Sequence, residues 1–161
     1  MEFSTELGDI LVFGIDEVPR EIYKAVDLRR FAQEQGGVMI AAHPFRYDLS
    51  PKPWLRAVEA DLTLEKACRR QIFQLVDAIE VVNGWATQQD VDFTLRVCAH
   101  LGLKGTGGSD AHAPEEVGLC VTVFDDRIAC EADLVVALKS GRFRAEDRRQ
   151  PNQKKPTKYG S

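Results

Sequence analysis

The residues of this chain best suited to chemistry are Asp110 and His112, set one residue apart in GTGGSDAH (105–112). In an extended segment that spacing turns both side chains to one side, where a hard carboxylate oxygen and an imidazole nitrogen can serve one metal cluster. A further histidine, His43, closes the apolar run VMIAAH (38–43), and Pro44 fixes the exit of the chain behind it. Two ligand types at the ends of two strand-like runs point to a metal site on the carboxyl face of a parallel sheet. Both motifs also have a plain structural reading. Gly108-Ser109-Asp110 can form a turn in which the Asp side chain caps the backbone and His112 lies exposed beyond it. His43 can be a hydrogen-bonded histidine at a strand end.

Such residues need a scaffold, and the chain alternates strand-like and helix-like segments. DILVFGI (9–15) suits a buried strand, and after Pro19 the segment EIYKAVDLRRFAQEQ (21–35) sets Ile22, Ala25, Val26, Leu28 and Phe31 in a helical stripe that Gly36 and Gly37 end. Strand 38–43 follows, then a loop at 46–54 holding Pro51 and Pro53. Residues 63–76 predict a helix with Thr63 as N-cap and Leu64, Ala67, Cys68, Ile72 and Leu75 on one side. AIEVVN (78–83) is the next strand, Thr87 caps a helix running to His100, and Gly102 stops it before the strand LKGTGG (103–108). GLCVTVF (118–124) predicts a strand, EADLVVALKSG (131–141) a helix closed by Gly141, and RFRA (142–145) a short last strand. From Glu146 onward apolar content nearly vanishes, so the chain divides into one domain over 1–145 and a flexible basic tail over 146–161. His100 ends a helical stripe, where interaction with the last carbonyls is expected rather than metal binding.

Composition narrows the function classes. With 161 residues, 44% hydrophobic, 29% charged and a net charge of −4, the chain reads as one ordinary soluble domain with no general attraction to nucleic acid or anionic membranes. No apolar run approaches the ~20 residues that span a bilayer, and the N-terminus lacks the pattern of a signal peptide, so a cytoplasmic location is expected. The four cysteines, Cys68, Cys98, Cys120 and Cys130, show no C-x-x-C spacing and are expected to be reduced thiols. No phosphate-cradling G-x-x-x-x-G-K-[ST] loop is present, and GTGGS (105–109) lacks the context of a dinucleotide fingerprint.

Four pieces taken together carry a resemblance: Glu2 in MEFSTELGDILVFGID (1–16), AHPFR (42–46), IEVVNG (79–84) and GSDAH (108–112). In this order over roughly residues 1–125 they resemble the PHP family, the polymerase and histidinol phosphatase domains, which are metal-dependent phosphoesterases on a distorted β/α barrel. The resemblance implies a partial barrel of mostly parallel strands alternating with helices, corresponding to the later two-thirds of the family domain. The family's opening His-x-His strand would lie upstream of Glu2. It further implies Glu2 as a bridging carboxylate, His43, Asp110 and His112 as metal ligands, Asp110 and His112 as catalytic, and Arg46 and Asn83 as substrate-binding; Glu80 is expected to face a neighbouring helix. The implied activity is hydrolysis of a phosphate mono- or diester, in a small molecule or nucleotide, by a metal-activated water. Imidazole with carboxylate favours Zn²⁺, Mn²⁺ or Fe²⁺ over Mg²⁺. Since the ligand set within these residues is partial, the alternatives are a noncatalytic binding module, or one half of a site completed by a complementing N-terminal fragment or in a homo-oligomer.

Overall fold

The computed structural model describes residues 1–16, 23–46 and 62–150 of the 161. Its centre is a five-stranded sheet in the order β1-β2-β3-β4-β5: Glu2–Thr5, Gly8–Phe13, Val38–Ala41, Ala78–Asn83 and Lys104–Gly108. The strands β6 (Cys120–Phe124) and β7 (Phe143–Asp147), joined through a helix, form a separate two-stranded antiparallel sheet against β5. Pairing is parallel for β3–β4 and β4–β5 but antiparallel for β1–β2 and β2–β3. The expected mostly parallel sheet therefore holds only for the β3-β4-β5 half. The physical reason is local: Glu6 and Leu7 form a tight connection ending in Gly8 at φ 117, which turns β1 straight back along β2.

Alternation sorts the side chains onto two faces. Ile10, Val12, Met39, Ala41, Ile79 and Val81 join the larger core, which packs on α1 (Ala25–Glu34), α2 (Leu64–Cys68), α3 (Ile72–Leu75) and α4 (Gln88–Leu101). Leu11, Phe13, Val38, Ile40 and Ala78 occupy the other face with Leu138 of α5 (Glu131–Ser140) and the rings of Phe124 and Phe143. Each fully buried Val, Ile or Leu contributes about 1.5–3 kcal/mol, so the sheet is fixed from both sides. The second face turns polar toward the carboxyl ends of β3 and β4, where Glu80 follows Ala78 on the same side.

Caps fall where the residue chemistry places them. Thr63 accepts from the Lys66 backbone N–H, Thr87 forms a capping box with Asp90, and Gly102 and Gly141 close α4 and α5 at φ 67 and 68. Three details differ from expectation. The helix expected over 63–76 breaks at Arg69, and Arg70 beyond the break lies over the Phe45 ring and donates to the Pro44 carbonyl at 3.2 Å. In α1, Ala32 is buried and Val26 is half exposed, so the stripe is rotated from the expected one, and Ile22 lies outside the described residues. Strand β7 continues through Glu146 and Asp147, and Arg149 is held against the domain; the expected tail boundary at 146 is too early, while 151–161 lie outside the described residues. All four cysteines are free thiols, with Cys98 and Cys120 buried, Cys68 partly buried and Cys130 exposed. No helix among the described residues is long and apolar enough to cross a membrane.

Candidate metal centre

At the end of β3 the chain places His43 at φ 30, a left-handed conformation that costs a non-glycine residue about 1–3 kcal/mol. Asp110, just past β5, has φ 48, and among the described residues these two are the non-glycine positions with positive φ. Both were singled out by residue type, and strained backbone of this kind gathers where side chains must be aimed. Fixed hydrogen bonds hold the strain. The His43 backbone N–H donates to Glu80 Oε2 at 2.9 Å, and the Asp110 carbonyl accepts from Trp85 Nε1 at 2.8 Å.

The His43 ring meets the β1–β2 hairpin. Register places Ser4 opposite Asp9 and Glu2 opposite Leu11, so Glu2 and Asp9 share one face, and the Ala42 N–H donates to the Asp9 carbonyl at 2.9 Å. His43 Nε2 then lies 3.4 Å from Glu2 Oε1 and 3.9 Å from Asp9 Oδ2. One ligating atom from each of Glu2, Asp9 and His43 lies within 4.8 Å of the others, the one such group among the described residues. Burial, and then the Arg46 guanidinium, push the His43 pKa below its ordinary 6.5, against the opposing pull of Asp9 and Glu2. A neutral imidazole with a free lone pair is the form a metal binds. The donor set fits a divalent cation: one imidazole and two carboxylates suit Zn²⁺, Mn²⁺ or Fe²⁺, and three protein ligands leave a coordination position open.

Beside this trio stands a second group. Arg46 forms an ion pair through its NH2 with Asp110 Oδ2, and the side chains are only 12% and 20% exposed. Asn83, 1% exposed, donates through its amide to Glu80 Oε2 at 3.0 Å and to Asp110 Oδ2 at 3.4 Å, while its Oδ1 accepts from the Trp85 N–H at 2.9 Å. Glu80 is buried, and burial pushes its carboxyl up to about 7 against the Asn83 amide, the His43 N–H and the Arg46 charge. Gly108 makes that position possible, because a Cβ there would overlap Glu80 Oε1. His112 is half exposed; its Nδ1 lies 2.8 Å from the Asp110 carbonyl and 3.8 Å from Asp110 Oδ1, and its ring stands edge-on to Trp85.

The structure thus brings Glu2 and His43 together and Asp110, Arg46 and Asn83 together, with His112 at the rim. Asn83 has its amide committed to protein partners, which makes it a positioning group where a substrate contact was expected. Glu80, expected to face a helix, instead joins both groups, because its strand side is the polar end of the second sheet face. Asp9 was not anticipated at all. Its signal was the short alternation EFST before ELG, which pairs as a hairpin and carries Asp9 back toward the terminus of β3. Arg149 was missed as well: it donates through NH1 to the carbonyls of Asn83 at 3.1 Å and Ala86 at 2.6 Å, pinning the loop after β4. A cavity of about 170 Å³ opens beside the trio, lined by Asp9, His43, Arg46 and Arg70 among others. It is smaller than the ~300–1,000 Å³ of pockets that enclose drug-sized ligands, so it suits a phosphoryl-sized group.

Residues 92–143 match the model of the PHP-associated family. Among solved structures, PsfC from Pseudomonas syringae PB-5123 is similar at 22% identity and a TM-score of 0.60, over 91% of this chain and 57% of PsfC. At that identity the likeness speaks to the fold. A provisionally assigned metal-dependent phosphoesterase from Bifidobacterium adolescentis ATCC 15703 aligns at 25% identity and a TM-score of 0.40, over 60% of this chain and 31% of its own. The chain therefore spans less than two thirds of the length of either structure. No curated protein matches it in sequence.

Proposed function

We propose that this chain, whose residues 92–143 match the PHP-associated family, is a metal-dependent phosphoesterase of the PHP type whose cation is held by Glu2, Asp9 and His43. The observation that carries this reading is the convergence of those three ligating atoms within 4.8 Å at the mouth of a cavity that Arg46 also lines. A divalent cation bound there would supply Lewis acidity toward a phosphoryl oxygen and lower the pKa of a water it holds. The chain's own residues do the rest. His43 presents a neutral ring nitrogen, kept in place by Glu80 on its backbone N–H. Arg46 lines the cavity beside the trio and brings a fixed positive charge to the phosphoryl group of the ester. Asn83 orders Glu80 and Asp110 relative to each other. The substrate is a phosphate mono- or diester, in a small molecule or nucleotide, that inserts its phosphoryl group into the cavity.

Hydrolysis of chromogenic phosphate mono- and diesters by the chelator-stripped chain, reloaded with Mn²⁺ or Zn²⁺, tests the reading. Turnover should need the metal and fall at least 100-fold in His43→Ala and Asp9→Asn. Turnover that persists in chelator, or that both variants retain, would overturn it. A folded chain that binds the metal yet hydrolyses neither ester class would favour a binding module instead.

A further inference from the structure

Resting on the phosphoesterase reading above, we propose that Trp85 is a specificity-determining residue of the site: its indole is a platform on which a planar aromatic ring in the leaving group of the ester stacks. Trp85 belongs to neither hydrophobic core and is partly exposed, unlike Phe45 and Phe73, which are buried in the larger core. An aromatic side chain ordinarily buries about 150–250 Å² in a core or an interface, and here neither core takes up the indole. Its aromatic neighbour among the described residues is His112, with ring centroids 5.4 Å apart and planes at 83°. That edge-on contact stacks no ring upon the indole.

The loop after β4 holds the ring rigidly. The Trp85 backbone N–H donates to Asn83 Oδ1 at 2.9 Å and the indole Nε1 donates to the Asp110 carbonyl at 2.8 Å. Arg149 NH1 reaches the carbonyls of Asn83, Gly84 and Ala86 at 3.1, 3.4 and 2.6 Å. The Gly84 N–H donates to the Gly108 carbonyl at 3.1 Å, and a Cβ on Gly84 would overlap the Ser109 carbonyl, so the loop lies close against the end of β5. With both donors of Trp85 satisfied, the ring needs no polar partner from a ligand, and its fixed orientation lowers the entropy lost on contact. Asp110, which anchors the indole, also pairs with Arg46, and Arg46 lines the cavity together with Asp9 and His43. The ring therefore stands one residue beyond the phosphoryl position. A cavity of about 170 Å³ takes a phosphoryl group but leaves the rest of the ester outside it. Stacking on an indole selects flat aromatic groups over aliphatic ones without reading their edges.

Adenosine 5′-monophosphate and ribose 5-phosphate, offered to the metal-loaded full chain, differ by the aromatic ring. Wild type should favour the nucleotide by roughly tenfold in kcat/KM, mostly through KM, as one base–aromatic stack provides. Trp85→Phe keeps an aromatic face but loses the N–H to the Asp110 carbonyl, so both esters should slow while the preference persists. Trp85→Leu should slow both and abolish the preference. A purely structural role for Trp85 would slow both esters alike in both variants; that result, or the absence of a preference in wild type, would overturn the proposal. Binding is read separately from turnover. In a Trp54→Phe background Trp85 is the remaining tryptophan, and its emission should be quenched by adenosine 5′-monophosphate but not by ribose 5-phosphate. A chain that hydrolyses neither ester yet shows this quenching fails the phosphoesterase reading and keeps the platform. Unquenched emission overturns the platform even where hydrolysis persists. Phenyl phosphate against ethyl phosphate separates the two sources of a ring: an equal preference there assigns a ring attached directly to the ester oxygen, and a preference for the nucleotide alone assigns one spaced by a sugar.

Discussion

Glu80 makes the stability of the metal-free protein depend on pH in a direction opposite to that of most carboxylates. Its pKa rises from the ordinary 4.5 to about 7 because the carboxylate is buried, and three stabilising partners do not offset the lost hydration. Between those values the folded state holds a proton that the unfolded state has released, so stability falls as pH rises through that window. The contribution is fully present below about pH 4.5 and fully lost above about pH 7. A shift of about 2.5 units at 1.36 kcal/mol per unit gives a loss of about 3 kcal/mol. Glu80→Gln keeps the shape and the acceptor for the His43 and Asn83 N–H groups but cannot ionise. Urea denaturation in excess chelator at half-unit intervals from pH 5 to 8.5 should therefore show wild type losing about 2–3 kcal/mol relative to Glu80→Gln. Taking the difference removes groups common to both proteins, including His43, whose lowered pKa makes stability rise with pH and would otherwise mask the effect. A difference curve that is flat to within about 0.5 kcal/mol, or that rises with pH, would refute the reasoning.

Two further substitutions probe how the centre is held. Gly108→Ala places a Cβ on Glu80 Oε1; overpacking of this kind costs about 1–3 kcal/mol, and because the displaced carboxylate also anchors His43, metal affinity should fall with stability; a variant with unchanged affinity would detach Glu80 from the metal. Arg149→Ala removes the donors to the Asn83 and Ala86 carbonyls and the ion pair with Asp147; a loss of about 2 kcal/mol lowers the melting temperature by roughly 4–8 °C while metal content stays the same, and a shift below about 1 °C would mean that the clamp is not formed.

How much of this was legible in the sequence depends on whether a residue acts through its own segment or through a partner's. The helix caps at Thr63 and Thr87, the stops at Gly102 and Gly141 and the strand at 78–83 are local, and the structure has them where residue type and spacing put them. The placement of His43 and Asp110 just past strand ends was legible because each follows an apolar or glycine-rich run. Asp9 was not, since its position depends on the register of a hairpin whose first strand is only four residues long. Glu80 was misplaced for a different reason: alternation says which residues share a face, but only the assembled sheet shows that this face passes from apolar to polar along β4. The same limit explains α1, where the choice between Val26 and Ala32 as the buried residue depends on how closely the helix approaches the sheet.

Charge accounting explains why two compartments can sit side by side. The trio combines two carboxylates of formal charge −2 with a neutral imidazole, which a divalent cation balances without a further ion. The Arg46–Asp110 pair is neutral in itself, and Glu80, near half-protonated at neutral pH by its raised pKa, adds only part of a charge between them. Removing Arg46 would leave Asp110 uncompensated in a largely buried site. Breaking a buried pair in that way costs about 3–5 kcal/mol. The ion pair and the burial of Asp110 are thus one design choice: an arginine carried on the segment after His43 neutralises a carboxylate too enclosed to be left bare.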